Sequence, residues 1–225
     1  MKTKILELLK ENMPDNEFQL KELQDTKNNG RAGFLVYSKE KVDDNCDIVK
    51  SYKNYTDKIT ETNLFRYYYY QNIKDKKYNG EHLTVVMMNP AFADSNDDDF
   101  TIKNILKYLA DKAQYGSFDI INLYPVRMPK GVTLDDLNKK INKYFPDVND
   151  NYQKFVISYL KTFKNGKKIA AWGSKYHKTA TKLFENENIK FYCYGKNRDG
   201  SPRHFSNQAF IKEDNFLDDF KEYKF

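Results

Sequence analysis

Short apolar segments alternate with helical stripes over residues 83–194, and this alternation constrains the fold more than any other feature of the sequence. The apolar segments are Leu83–Met88, Phe118–Leu123, Lys168–Trp172 and Ile189–Tyr194. The clearest helical stripe between them has an apolar side chain every three or four positions: Tyr152, Phe155, Val156, Tyr159, Leu160 and Phe163. Strands alternating with helices indicate right-handed crossovers and a parallel sheet covered on both faces. We therefore predict an α/β fold, a three-layer α/β/α sandwich with a central, mainly parallel, four-stranded sheet.

The regions that flank this alternation are less regular. A chain of 225 residues suits one domain, or one domain with an extension. Residues 1–63 contain a short amphipathic helix and one strand candidate, Gly33–Tyr37, so we predict an N-terminal extension packed on an α/β domain of residues 64–225. A β-prone aromatic run, Leu64–Tyr70, opens that domain, and a last helix is expected within Asn215–Tyr223.

Composition limits the class of protein. Aromatic residues make up 16% of the chain, which argues against disorder although 31% of the residues are charged. A net charge of +6 permits a polyanionic partner without requiring one. No segment approaches the ~20 apolar residues of a membrane span, and Cys46 and Cys193 lack metal-type spacing. We expect a cytoplasmic protein with no membrane partner, no bound metal and no cofactor.

Polar or conformationally special residues follow each of the four apolar segments. They occupy Met88–Asp99, Asn122–Arg127, Trp172–Gly173 and Gly195–His204. In open parallel sheets, ligands bind beyond the carboxyl ends of the strands. These four segments are therefore the predicted functional site.

The first of these segments contains an amide and several carboxylates. Pro90 favours an extended conformation for Asn89, which would fix the Asn89 amide at the strand end. Asp97, Asp98 and Asp99 form an acidic run of the kind that binds Mg²⁺, but three adjacent aspartates cannot all point at one ion. An Asn-Pro turn followed by a helix cap remains an alternative.

The second and third segments supply candidate substrate-binding residues. Asn122 and Arg127 are proposed to bind substrate, because a guanidinium matches a carboxylate or phosphate; an ion pair with an aspartate of the first segment is equally consistent. Trp172 is the only tryptophan and is either a binding platform or a core residue. Gly173 allows a tight turn or a close approach of a ligand.

The fourth segment is a basic loop that ends in a histidine. Lys196, Arg198 and Arg203 are predicted to contact phosphates, and two glycines with a proline indicate an ordered loop. His204 is the histidine best placed for catalysis, because it lies in a loop at the carboxyl end of a strand, whereas His82 precedes a strand and His177 falls within a helix.

These segments, in this order, resemble an uncharacterised bacterial and phage family known only as a domain of unknown function. The resemblance rests on seven pieces: Arg66–Tyr67, Asn89–Asp94, Asp99–Thr101, Asn122–Arg127, Asn149–Asp150, Ala170–Gly173 and Gly200–His204. The family usually has Pro after the histidine, whereas this chain has Phe205. A more distant similarity is to the uracil-DNA glycosylase superfamily, through Met88–Pro90, Trp172–Ser174 and Arg203–Ser206.

The glycosylase resemblance implies a uracil-DNA glycosylase-like fold and removal of a base from DNA by hydrolysis of its N-glycosidic bond. It implies that Asn89 positions the attacking water and that His204 stabilises the departing base. It also implies that Asp94 or Asp99 supplies a catalytic carboxylate and that the Phe92 ring stacks on the base. Two other hypotheses stay open: a non-catalytic phage or defence protein that binds nucleic acid or a nucleotide, and a metal-dependent phosphoesterase built on the aspartates. A protein partner is also compatible with the sequence.

Overall fold

We analysed a computed structural model, which describes residues 1–23, 33–39, 64–73, 80–90, 100–110, 114–127, 133–164, 166–206 and 220–225. Its strands are β1 (Phe18–Glu22), β2 (Gly33–Ser38), β3 (Arg66–Asn72), β4 (Glu81–Met87), β5 (Tyr115–Asn122), β6 (Lys167–Ala170), β7 (Phe191–Cys193) and β8 (Lys221–Tyr223). Its α-helices are α1 (Lys2–Asn12), α2 (Phe100–Ala110), α3 (Leu134–Tyr144), α4 (Val148–Thr162) and α5 (His177–Phe184).

The strands form one mixed sheet with the order β1-β2-β3-β5-β4-β6-β7-β8. The pairs β1–β2, β2–β3, β3–β5 and β7–β8 are antiparallel, and the pairs β5–β4, β4–β6 and β6–β7 are parallel. The chain is thus α/β, but the predicted fold class, a central four-stranded and mainly parallel sheet of the uracil-DNA glycosylase type, is wrong.

The physical reason for the error is that antiparallel neighbours need no helical crossover, so the strand–helix alternation does not reveal them. The aromatic strand β3 pairs antiparallel with β5, and β1 and β2 extend the sheet beyond it. At the other end, β8 has three residues, too few for a periodic pattern. Residues 221–223, which were expected in a helix, pair with β7 instead.

Each face of the sheet is covered by apolar side chains. One core contains the buried faces of α1, α3, α4 and α5, including the predicted stripe Tyr152, Phe155, Val156, Tyr159 and Leu160. The other core contains α2, through Ile102, Ile105, Leu106, Tyr108 and Leu109. The helical stripe of α4 was predicted from its spacing and is confirmed.

The N-terminal residues join the same sheet. Strand β2 is buried along its whole length and pairs with β3. Helix α1 buries Ile5, Leu8 and Leu9 and ends at Asn12, with Met13 as its C-cap just before Pro14. No helix among the described residues is long and apolar enough to cross a membrane.

Candidate functional site at the carboxyl edge of the sheet

The parallel strands β4, β5, β6 and β7 end at one edge, which we name the carboxyl edge: residues 88–90, 122–127, 171–173 and 194–204. Hydrogen bonds continue past the strand ends, because Leu123 N–H donates to Met87 O at 2.8 Å and Tyr124 N–H donates to Met88 O at 3.0 Å. On the other side, Ala171 N–H donates to Val86 O at 2.8 Å. These bonds hold the residues after β4 between those that follow β5 and β6.

Asn89 lies just after β4, between the residues that follow β5 and those that follow β6. Its side chain is half-buried, and its Nδ2 donates to the carbonyl of Pro90 at 3.2 Å. Pro90 itself is buried. The other candidates of this segment, Phe92, Asp94 and Asp99, lie outside the described residues.

Gly173 turns the chain at the end of β6. Its φ of 76° and ψ of 177° belong to a region that is open almost only to glycine. Gly173 N–H donates to Pro202 O at 3.1 Å, and a Cβ at this position would lie 3.7 Å from the Cβ of His204. The glycine therefore joins the end of β6 to the basic loop.

The basic loop is a small hairpin closed by its own hydrogen bonds. Asn197 N–H donates to Ser201 O at 2.8 Å, and Gly200 N–H donates to Asn197 O at 3.0 Å. The buried Ser201 hydroxyl donates to the Asp199 carboxylate at 2.6 Å. This bond and the Ser201 N–H lower the pKa of Asp199 below its usual value. The loop is therefore an ordered hairpin that carries the charged side chains, as its glycines and proline predicted.

The three cations of the loop have different surroundings. Arg198 is exposed at the hairpin tip. Lys196 is also exposed, and its Nζ lies 4.8 Å from the centre of the Tyr223 ring. Arg203 is half-buried, and its Nε donates to Lys196 O at 3.1 Å. Arg198 is therefore placed for a partner in solvent, while Lys196 and Arg203 also stabilise the loop.

His204 is held at the base of the hairpin. Ser206 N–H donates to its Nδ1 at 3.1 Å, and the Ser206 hydroxyl lies 2.8 Å from the same nitrogen. The Tyr194 hydroxyl donates to the His204 carbonyl at 2.7 Å. A neutral imidazole whose Nδ1 accepts a backbone N–H carries its proton on Nε2. The loop thus selects the tautomer that donates through Nε2.

Phe205, the departure from the expected Pro, anchors the segment after the histidine. Its ring is buried against Tyr108 and Tyr194, and its carbonyl accepts a hydrogen bond from Asn104 Nδ2 at 2.7 Å. The position of His204 is therefore fixed from the α2 side as well.

Two buried arginines lie where β5 ends beside the start of β3. Arg127 is 0% exposed and Arg66 is 1% exposed. Backbone bonds fix both residues: Arg66 N–H donates to Pro125 O at 2.8 Å and Arg127 N–H to Leu64 O at 2.9 Å. Sequence reasoning proposed Arg127 but used Arg66 only as part of a family motif, because charged side chains are rarely fully buried.

These arginines lie against aromatic rings of the sheet. The Arg127 guanidinium is 5.6 Å from the centre of the Tyr37 ring, and the Arg66 guanidinium is 5.5 Å from that of Tyr69. Asn122, also proposed from sequence, is 1% exposed, and its Oδ1 accepts no hydrogen bond from the described residues. Two positive charges and an amide are thus concentrated inside this end of the carboxyl edge.

Tyr152 connects β3 to β5 behind this cluster and was missed as a site-supporting residue. Asn122 N–H donates to the Tyr152 hydroxyl at 3.3 Å, and the hydroxyl donates to Tyr67 O at 3.0 Å. Burial raises the pKa of Tyr152. Its hydroxyl therefore stays protonated at neutral pH. The hydroxyl takes the place of a direct backbone hydrogen bond between β3 and β5 where the two strands separate.

Trp172 lies in the core. Its ring is 1% exposed and contacts the rings of Phe184, Phe191, Tyr223 and Phe225. The sequence left two roles open for Trp172, a binding platform or a core residue. Its contacts are those of a core residue.

A second polar cluster lies nearer the amino ends of the parallel strands. The buried Asp119 carboxylate accepts hydrogen bonds from the hydroxyls of Tyr68, at 2.8 Å, and Tyr159, and its Oδ2 is 2.9 Å from His82 Nε2. The other ring nitrogen of His82 is 2.8 Å from Ser117 Oγ. Burial and the Asp119 charge raise the pKa of both tyrosines. These residues come from four elements, so no sequence spacing indicated them.

Comparison with protein families gives a match that covers most of this site. A family model described as a protein of unknown function (DUF1643) matches residues 66–204, more than half of the chain. The chain belongs to the DUF1643 family. The family range begins at Arg66 and ends at His204, so it includes both ends of the carboxyl edge. The sequence-based expectation of a family of unknown function is confirmed at that level. No curated protein and no solved structure matched the chain.

Proposed function

We propose that the carboxyl edge hydrolyses an N-glycosidic bond and releases a base from a nucleic acid. In this reaction the bond between the sugar C1′ and the base nitrogen breaks, and the base leaves with the electron pair. A water molecule adds to C1′. The transition state therefore has positive charge on the sugar and negative charge on the base.

The observation that carries this proposal is the hydrogen bond from Ser206 N–H to His204 Nδ1, at 3.1 Å. It directs the imidazole to donate through Nε2, which is what a base leaving as an anion requires. A preorganised donor of this kind typically contributes about 3–4 kcal/mol to lowering a barrier. The backbone hydrogen bonds of the hairpin hold the donor in place before substrate binds, so little reorganisation is needed.

Asn89 is assigned the role of orienting the attacking water. It follows β4, which pairs with β6, and Gly173 after β6 donates a backbone hydrogen bond to Pro202 O, two residues before His204. The sugar is assigned to the space between the residues that follow β4 and the basic loop. Asp94 or Asp99 is proposed to receive the proton of the water.

The charges on the edge fit a polyanion. Arg198 and Lys196 are exposed beyond β7, while Arg66 and Arg127 place buried positive charge beyond β5. Because Arg66 and Arg127 are buried, the proposed phosphate contacts are the exposed Arg198 and Lys196 of the basic loop.

The test is release of free base from single- and double-stranded DNAs that contain uracil, mismatched or alkylated bases, with EDTA present. Mass spectrometry detects the base, and alkaline cleavage detects the abasic site. We expect base release that persists in EDTA. Strand cleavage that occurs only with Mg²⁺, or salt-sensitive binding without base release, would contradict the proposal.

A matched pair of variants tests the nucleic-acid contact. Arg198→Ala removes an exposed cation at the hairpin tip, and Lys178→Ala removes an exposed cation from α5. We expect Arg198→Ala to weaken DNA binding and to lower the salt dependence by about one ion, whereas Lys178→Ala leaves both unchanged. Equal effects of the two variants would exclude the basic loop as a phosphate contact.

A further inference from the structure

A polar pocket separate from Asn89 and His204 lies between α3, α4 and α5, beside the end of β5. Its volume is about 420 Å³, within the range of small-molecule sites. Four side-chain amides line it, and they come from α3 and α4: Asn138, Asn142, Asn149 and Gln153. The half-buried ring of Tyr124 forms part of the wall.

The amides are not satisfied by one another. Asn149 Nδ2 donates only weakly, at 3.4 Å, to the Oδ1 atoms of Asn138 and Asn142. Asn149 is 9% exposed, and its Oδ1 accepts no hydrogen bond from the described residues. Gln153 Nε2 donates to Leu123 O at 3.4 Å. A buried acceptor without a donor costs about 1–3 kcal/mol, so the pocket favours a ligand that supplies the donor.

The chemistry of the lining indicates a neutral, planar ligand. Asp150 and Lys182 also line the pocket, so its formal charges cancel. A carboxamide offers an acceptor and a donor side by side, which matches the N6–H donor and N7 acceptor of adenine. An aromatic ring such as that of Tyr124 provides a surface on which a base stacks.

We propose that this pocket binds an adenine base. Asn149 Oδ1 accepts from the exocyclic amine, Asn142 and Asn138 read the remaining edge, and Tyr124 contacts the ring face. The proposal does not depend on base hydrolysis at the carboxyl edge, because it uses other residues and a binding measurement.

The test is calorimetric titration of the full chain with adenosine, and separately with guanosine, cytidine and ribose. We expect saturable binding of adenosine, with ribose and the other nucleosides at least about tenfold weaker. The Asn142→Ala variant changes an exposed side chain and should weaken adenosine binding about tenfold, as should Asn149→Ala. The control Asn186→Ala, at an exposed position outside the pocket, should bind like the wild type.

Three results would overturn the proposal. The first is no adenosine binding by protein whose circular dichroism shows it to be folded. The second is binding of ribose or another nucleoside as tight as that of adenosine. The third is adenosine affinity unchanged in both Asn142→Ala and Asn149→Ala.

Discussion

Removing one hydroxyl at Tyr152 should destabilise the fold by much more than a hydroxyl deletion at the surface. The hydroxyl accepts from Asn122 N–H at 3.3 Å and donates to Tyr67 O at 3.0 Å, and the side chain is fully buried. Tyr152→Phe keeps the ring and its contacts but leaves two buried backbone groups without partners. At about 1–3 kcal/mol for each such group, we expect a loss of roughly 2–6 kcal/mol in the free energy of unfolding.

The assay is urea unfolding followed by circular dichroism, with the free energy obtained by linear extrapolation. Thermal unfolding should show a midpoint lower by roughly 4–24 °C. The control is Tyr144→Phe, whose hydroxyl lies on an exposed ring and accepts from Lys143 Nζ at 3.4 Å. The control should change the free energy by less than about 0.5 kcal/mol. If Tyr152→Phe is as mild as the control, the hydroxyl does not bridge β3 and β5 as described.

Three further predictions concern the loop and the second polar cluster. Gly173→Ala should cost about 1–3 kcal/mol, because its φ of 76° with ψ of 177° strains any side chain, whereas Gly195→Ala should cost less than about 1 kcal/mol in the same urea assay. Asp119→Asn should cost about 3 kcal/mol, because three donors lose their carboxylate, and Asp147→Asn at an exposed position should be neutral. Similar losses for the members of either pair would contradict these assignments. Since neighbouring donors lower the pKa of Asp199, its stabilisation is present above the ordinary carboxyl value of about 4 and is lost as the pH falls through the lower folded value. Amide NMR shifts of the hairpin should therefore change only below about pH 4, and a transition between pH 5 and 7 would contradict this.

The sequence predicted the elements whose pattern repeats over several turns or residues. The α4 stripe and the apolar segments that became β4 and β5 are examples, since burial of one helix face or of a whole strand leaves a visible pattern. Helix α3 was missed because it buries few apolar side chains, Leu137 and Ile141, among lysines and asparagines.

The width and direction of the sheet were not predictable in the same way. Pairing between β3 and β5 joins segments that are about 50 residues apart, and nothing local specifies whether such a pair is parallel. The aromatic run of β3 indicated a strand but did not indicate its neighbour.

For the candidate site, the sequence indicated which segments meet but not how deeply their side chains are buried. The glycine and proline pattern predicted an ordered basic loop, and the structure places His204 at its base. Arg66 and Arg127 were not expected in the interior, because burial of an arginine depends on partners that are distant in sequence. The polar pocket between α3, α4 and α5 was not predictable from the sequence either, since it forms only when the three helices assemble.

The proposal of base hydrolysis is tested most directly by base release, with EDTA present, from the same DNA panel by the wild type, His204→Ala and His177→Ala. His177 is a half-buried histidine of α5, 3.3 Å from the Tyr223 hydroxyl, and serves as the matched control. We predict that the His204 variant loses about 10²–10³-fold in rate while the His177 variant keeps the wild-type rate. Base release that is equal in all three proteins, or absent from the wild type on every DNA, would contradict the role assigned to His204 and to the carboxyl edge.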